Sequence, residues 1–366
     1  MNKQLNFDAP INNLSLGNVS YNFLRELFRA NIDVNLFAVN DRAQMSAFDK
    51  KSDDLVEFIK KSGNQRYNNF KKEIPTLRVW HINGSERSVS QNQYLYTFYE
   101  LDSPTQAEIN IVNAQKHTFF SCSEAYDVFK NAGCKNISYV PLGFDEDFGK
   151  TGKKYFEDDV IHFGIIGKFE RRKNTQTIIQ TWLKKFGNNP KYQLTCLVNN
   201  QFFEKEQMEQ LIAGCLMNKN WHNINFLNHL ETNSEVNELM NSIDIDLSGL
   251  SNGEGWNLPA FNATALGKWS IVSNCSSHKD WANKENSILV DAIGKQPCYD
   301  NVFFREGTTF NQGNYYKISE ESISAAMDTA TVMAKQPNPE GEKLREQFTY
   351  EKSMDQILSV IFNEES

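Results

Sequence analysis

Two stretches of this 366-residue chain hold side chains whose types and spacing suit group-transfer chemistry. The first, VIHFGIIGKFERRKNTQTIIQTW (160–182), is an apolar strand pattern, then Gly167, then four basic residues within six positions, then a helical pattern. A strand-to-helix turn of this kind aims backbone N–H groups and the positive end of a helix dipole beyond the strand's carboxyl end. Lys168, Arg171, Arg172 and Lys173 add full charges there. The combination is an anion site, most naturally for phosphate. Neither GxxxxGK[ST] nor GxGxxG is present, which argues against P-loop ATPases, kinases and dinucleotide dehydrogenases.

The second stretch, LSNGEGWNLPAFNATALGKWSIVSN (250–274), places Glu254 between Gly253 and Gly255, with Pro259 where a helix would begin. The two glycines free a loop to approach a ligand closely. The N–H groups of Gly255, Trp256, Asn257 and Leu258 would face a second anion, and Glu254 would accept hydrogen bonds from hydroxyls. Cations, backbone donors and one carboxylate together suit a sugar joined to a diphosphate. The carboxylate orients the sugar and the cations hold the leaving group.

Alternating strand and helix patterns must position these residues. Before residue 145 the pattern predicts a helix at Val19–Arg29, strands at Ile32–Val39, Thr76–Ile82, Tyr94–Tyr99 and His117–Phe120, a helix at Glu124–Ala132 and a strand at Ile137–Val140. A charged, irregular run at Asp145–Asp159 reads as the inter-domain linker. Beyond it come strands at Val160–Ile166, Tyr192–Val198, Ile243–Leu247 and Ser270–Val272, with helices at Asn174–Phe186, Phe203–Leu216 and Ser234–Met240. Such alternation implies βαβ units and parallel sheets. The expected fold is therefore α/β, two Rossmann-like domains (1–150 and 158–340) whose ligands sit at strand carboxyl ends facing a cleft.

Composition narrows the class further. Two domains suit this length, and 40% hydrophobic with 12% aromatic residues supplies their cores. A net charge of −8 disfavours a general nucleic-acid binder. No apolar run approaches the ~20 residues that cross a bilayer, and the first residues show no secretory pattern. Six cysteines without CxxC pairing read as buried thiols, and the protein as cytoplasmic.

The two stretches resemble glycosyltransferase family 4, a retaining family of GT-B fold. Its Gly-Arg-x-x-x-x-Lys segment is matched by Gly167-Lys168-Phe169-Glu170-Arg171-Arg172-Lys173. By that resemblance Lys168 and Lys173 hold the donor diphosphate, with Arg172 and Gly167 beside them, and Glu254 contacts the donor sugar. The family carries a second glutamate eight residues on, which holds the ribose; this chain has Asn262 there, whose carbonyl can still accept from a hydroxyl. The loop 15–27 resembles the glycine turn entering the first helix, with Gly17 as pivot, and Asn199 and Leu227 fall at strand ends where the base sits. The segment 342–362 resembles the terminal helices that cross back to the first domain.

The resemblance implies a nucleotide-diphosphate sugar as donor substrate, no cofactor, no required metal and front-face transfer with retention. The acceptor stays open between a glycan, a lipid-linked sugar, a protein and a modified nucleobase, with no stable membrane insertion. His81 and Glu100 fall on the acceptor side. A nucleotide-sugar epimerase or hydrolase and a non-catalytic binding protein are the other classes that fit. Asp244-Ile-Asp246 imitates a metal-binding DxD but opens an apolar strand, so it reads as structural, and Ser277-His278 follows a strand end where a ligand contact is conceivable.

Overall fold

The computed structural model describes residues 3–363. The first half of the chain builds a sheet from β1 (Gln4–Ile11), β2 (Asp33–Ala43), β3 (Thr76–Val79), β4 (Gln93–Thr97), β5 (His117–Phe120) and β6 (Ile137–Tyr139). Their order is β2-β1-β3-β4-β5-β6, and every neighbouring pair is parallel. The helices are α1 (Ser15–Arg29), α2 (Asp53–Asn69), α3 (Gln106–Ala114) and α4 (Ser123–Asn131).

Strand β1 is absent from the sequence reading because Asn6 and Asp8 interrupt its apolar run. Both are buried and satisfied: Asn6 donates to Ile74 O (3.1 Å) and accepts from Asn35 (3.0 Å), and Asp8 pairs with Arg78. Helix α1 starts a turn earlier than expected and buries Val19, Phe23, Leu24 and Leu27. Helix α2 was missed among its charges; Ser52 caps it by accepting from Leu55 N. Helix α3 carries a legible capping box, Thr105 with Glu108.

The second half forms β7 (Ile161–Ile166), α5 (Thr175–Phe186), β8 (Tyr192–Leu197), α6 (Lys205–Cys215), β9 (Ile224–Phe226), α7 (Asn233–Ser242), β10 (Ile245–Asp246), α8 (Leu258–Ala265), β11 (Trp269–Ser273) and β12 (Ser287–Val290). This sheet is also parallel, in the order β9-β8-β7-β10-β11-β12. Phe163, Ile179, Trp182, Leu194, Ile245, Ile271 and Met327 are its fully buried core. An antiparallel hairpin follows, β13 (Gly294–Pro297) with β14 (Asn314–Lys317), and then α9 (Glu320–Met333), α10 (Pro339–Glu342), α11 (Leu344–Gln347) and α12 (Tyr350–Asn363). Met354, Ile357 and Ile361 of α12 share one apolar core with α1 and β1.

The start of the charged Asp145–Asp159 run is packed into the protein. Asp145 and Asp147 are buried around Arg25, at 3.7 and 3.2 Å, and Asn233 at the start of α7 donates to Asp147 (3.1 Å). Burial, reinforced by the charge of Asp147 and opposed by Arg25, pushes the Asp145 carboxyl up to about 6. Gly143 sits where the chain returns: a Cβ there would lie 2.1 Å from Tyr350 N.

Candidate active site

The C-terminal sheet reverses its strand order between β7 and β10, and such a switch point opens a crevice at the strands' carboxyl ends. Gly167 and Lys168 leave β7 there, and the 247–257 loop leaves β10. A Cβ on Gly167 would meet nothing within 4 Å, so space stands open before it. Lys168 is half-buried with its Nζ 5.0 Å from the Phe202 ring centroid. Among the described residues no carboxylate lies within ion-pair distance of it. Burial first, then the charges of Lys173 and Arg172, lower its pKa against the pull of Glu170 and Glu100.

Glu254 is 4% exposed and held by two cations, Lys173 Nζ at 2.6 Å from Oε1 and Arg172 Nη1 at 3.0 Å from Oε2. Burial alone would raise its pKa; the charges of Lys173 and Arg172 and the lysine's hydrogen bond outweigh that and hold it at about 2. Ser276 pins the same residue's backbone, accepting from Glu254 N (2.7 Å) and donating to Glu254 O (2.6 Å). Arg172 is itself 8% exposed; it bonds Gly253 O and Glu254, and lies 3.3 Å from Glu170 and 3.6 Å from Glu100. These contacts tie it to the loop, while its Nε has no partner among the described residues.

One expectation about this loop changes. Gly253 and Gly255 make room for the other half of the protein: added Cβ atoms would lie 2.9 Å from Glu100 O and 2.8 Å from Phe98 Cβ. The loop is therefore buried against the segment after β4, with Ser121 donating to Gly255 O (2.7 Å). Trp256 turns its ring, 2% exposed, into the core against Phe261 and Phe348.

Around this centre the other expected residues fall into place unevenly. The N–H groups of Gly255, Trp256 and Leu258 donate to no group among the described residues. Asn257, in left-handed conformation (φ 71°), caps α8 by accepting from Ala260 N, 3.4 Å. Asn262 on α8 is 3% exposed and its Oδ1 accepts nothing among the described residues. Asn199, after β8, donates to Leu227 O after β9 (3.0 Å), so these two are joined.

From the N-terminal wall, Glu100 reaches Arg172, and His81 follows β3. Burial lowers the pKa of His81, with Glu100 opposing and Lys168 and Arg172 adding to the fall. Gly17 is not a free pivot. It is the third residue of α1, and a Cβ there would lie 2.3 Å from Asn12 Oδ1. His278 is fully buried between Ser273 O (2.9 Å) and Asn257 (3.0 Å), with burial lowering its pKa to about 4, so it supports the α8 cap. Asp244 accepts from His162 N and Lys335, and buried Asp246 from Ser248. Among the described residues no group of three or more His, Cys, Asp or Glu could hold a metal ion.

The sequence reading missed a strap. Residues 298–313, carried on the β13–β14 hairpin, cross to the N-terminal half. Asp102 accepts from Asn314 N (2.9 Å) and Lys295 (3.0 Å), and Glu108 accepts from Asn311 N (2.8 Å). Cys298, Phe304 and Tyr315 are buried with Ile82, Tyr99 and Phe120. Near the site, Arg171 donates to Tyr299 O (2.6 Å) and Phe303 packs on Phe202, the ring beneath Lys168.

This two-sheet cleft recurs in solved structures. A sucrose-phosphate synthase from Thermosynechococcus elongatus superposes with a TM-score of 0.71 over 99% of both chains at 12% identity. The fold is GT-B. Trehalose-6-phosphate synthase OtsA matches at 0.66 over 98% of both chains and 10% identity. Anabaena HepE, solved with UDP and glucose, matches at 0.61 over 99% of both chains and 10% identity. No protein-family profile matches the sequence, and no curated protein matches it. No helix among the described residues is long and apolar enough to cross a membrane.

Proposed function

We propose that the protein is a glycosyltransferase that moves a sugar from a nucleotide-diphosphate donor to a hydroxyl acceptor with retention of configuration. Lys168 carries the proposal: a half-buried cation near Lys173 and Arg172, with no carboxylate at ion-pair distance among the described residues, bordering the open space at Gly167. A half-buried lysine beside two other cations favours an anionic ligand, and a diphosphate at a sheet's switch point supplies one. The complex of HepE with UDP-glucose supports the same class of donor.

In this reading the diphosphate lies on Lys168 and Lys173 near the start of α5, with the N–H groups of Gly255, Trp256 and Leu258 facing it. Glu254 has a pKa of about 2 and so remains an ionised acceptor for the sugar's hydroxyls at any physiological pH. Asn262 Oδ1, buried without a donor among the described residues, takes a ribose hydroxyl, and Asn199 and Leu227 border the base. As the bond to the anomeric carbon breaks, charge grows on the departing diphosphate. Fixed cations there stabilise the transition state more than the ground state. The departing oxygen takes the acceptor's proton on the same face. No metal is assigned a role, and the cytoplasm is the proposed compartment.

The test is thermal stabilisation of the purified protein by a panel of nucleotide sugars, with Glu254→Ala and Lys168→Ala beside it. A donor that raises the Tm of the wild type and of neither variant supports the reading, and product analysis with candidate acceptors then separates transfer from hydrolysis, epimerisation and binding alone. No shift with any nucleotide sugar or free nucleotide refutes it.

A further inference from the structure

Glu254 is held by its backbone as well as by its carboxylate. One hydroxyl, Ser276 Oγ, accepts from Glu254 N (2.7 Å) and donates to Glu254 O (2.6 Å), closing a ring on a single residue. Among the described residues Glu254 N has no other acceptor, and Ser277 N, 3.4 Å from Glu254 O, is the weaker partner of the carbonyl. Ser276 is buried and opens the 3₁₀ turn Ser276–Asp280 that follows β11. Its φ of 55° lies in the left-handed region, which strains a serine and not a glycine. Backbone strain of this kind persists only where the surroundings impose it, and it concentrates at functional sites.

What imposes it belongs to the other half of the protein. Glu124, the second residue of α4, accepts from Ser276 N (3.2 Å) and from Tyr316 Oη (2.8 Å). Beside it, Ser123 N donates to Asp280 at the far end of the same turn (2.9 Å), and the Ser123 hydroxyl bonds that carboxylate too. The start of α4 therefore grips both ends of the turn. Tyr316 N donates in addition to Asn252 O (2.8 Å), two residues before Glu254.

The two sets of contacts on Glu254 thus have different origins. Lys173 and Arg172, which hold its carboxylate, come from its own half. Ser276, which holds its backbone, is itself held from the N-terminal half. A carboxylate that orients a ligand must be placed to within about 0.5 Å, and that accuracy comes from the groups behind it.

We infer that Ser276 is a positioning residue for Glu254 and that Glu124 relays to it the contact between the two halves, so that the carboxylate is in place for a sugar only while α4 holds the turn. The inference rests on the transferase reading, in which Glu254 takes the sugar's hydroxyls.

Four variants of the full chain test it: Ser276→Gly, Ser276→Ala, Glu124→Ala and Glu124→Gln. Hydrogen exchange without ligand reads the relay. Glu124→Ala should speed exchange of the Glu254 amide about tenfold, and Glu124→Gln, whose carbonyl still accepts from Ser276 N, should restore the protection. An unchanged Glu254 amide in Glu124→Ala, or a rise matched by the amides of β7, overturns the inference. Calorimetric titration with UDP and UDP-glucose reads the consequence. Both Ser276 variants should lose about tenfold for UDP-glucose and less than about threefold for UDP. Glycine suits the left-handed backbone, so Ser276→Gly should nevertheless unfold at a higher urea concentration than Ser276→Ala. Binding that is unchanged, that tracks stability across the two variants or that falls equally for both ligands overturns the inference as well. If the wild type binds neither ligand while the exchange result holds, the donor reading fails and the relay from Glu124 to Glu254 stands.

Discussion

Replacing Glu254 with glutamine tests the central ion-pair cluster through its pH dependence. The carboxyl's pKa falls from the ordinary 4.5 to about 2, because Lys173 and Arg172 outweigh the cost of burial. A carboxyl depressed by folding contributes stability above its unfolded pKa and loses it as pH falls toward the folded one. At pH 3 the folded carboxylate remains ionised, whereas an unfolded one near 4.5 is mostly protonated. Linkage over that interval removes about 2 kcal/mol between pH 6 and pH 3, out of about 3 kcal/mol in full. Glutamine does not titrate, and at pH 6 it leaves Lys173 and Arg172 short of a buried partner, which costs about 3 kcal/mol. The stability gap between wild type and Glu254→Gln should therefore narrow by about 2 kcal/mol from pH 6 to pH 3. Urea denaturation of both proteins at several pH values measures it, and groups that titrate equally in both cancel in the difference. A gap that stays constant with pH would refute the buried pairing.

Lys168→Ala removes a half-buried cation with no ion-pair partner among the described residues, leaving only its contact with the Phe202 ring to lose, so unfolding stability should change by about 1 kcal/mol or less. Turnover should fall roughly 10²–10³-fold if the lysine stabilises the leaving group; equal losses in both measurements would make its role structural. Gly255→Ala places a Cβ 2.8 Å from that of Phe98, and the overpacking should cost about 1–3 kcal/mol and enlarge the radius of gyration in X-ray scattering; an unchanged radius would mean that the loop yields without opening the cleft. Asp102→Ala removes the acceptor for Asn314 N and Lys295. It should destabilise the strap by about 1–2 kcal/mol and speed proteolytic nicking within 299–312, and an unaltered cleavage rate would show that other contacts hold the strap.

Legibility followed physical cause. β7, α5 and β8 stand close to their expected positions because their runs are apolar or strongly amphipathic, and burial in a parallel sheet selects for that pattern. β1 was not visible because Asn6 and Asp8 are satisfied only by Ile74, Asn35 and Arg78, partners remote in sequence. The same holds for Asp145 and Asp147, read only as part of a charged run, whose partners Arg25 and Asn233 are remote in sequence. At the site, the sequence singled out Lys168, Lys173 and Glu254 by side-chain type. It did not show that Glu254 pairs with Lys173 and Arg172, and the glycines flanking Glu254 took their reason from Phe98 and Glu100, more than 150 positions earlier.

The sequence alone determined the α/β alternation, the basic turn after β7 and the lone carboxylate after β10, because each depends on local pattern and side-chain type. Only the tertiary structure decided that Glu254 is buried between two cations, that Trp256 belongs to the core and that residues 298–313 strap the halves together. Those properties depend on which surfaces meet across the cleft. Contacts between residues so far apart in the chain are selected by the packing of both sheets at once, and no local stretch encodes them.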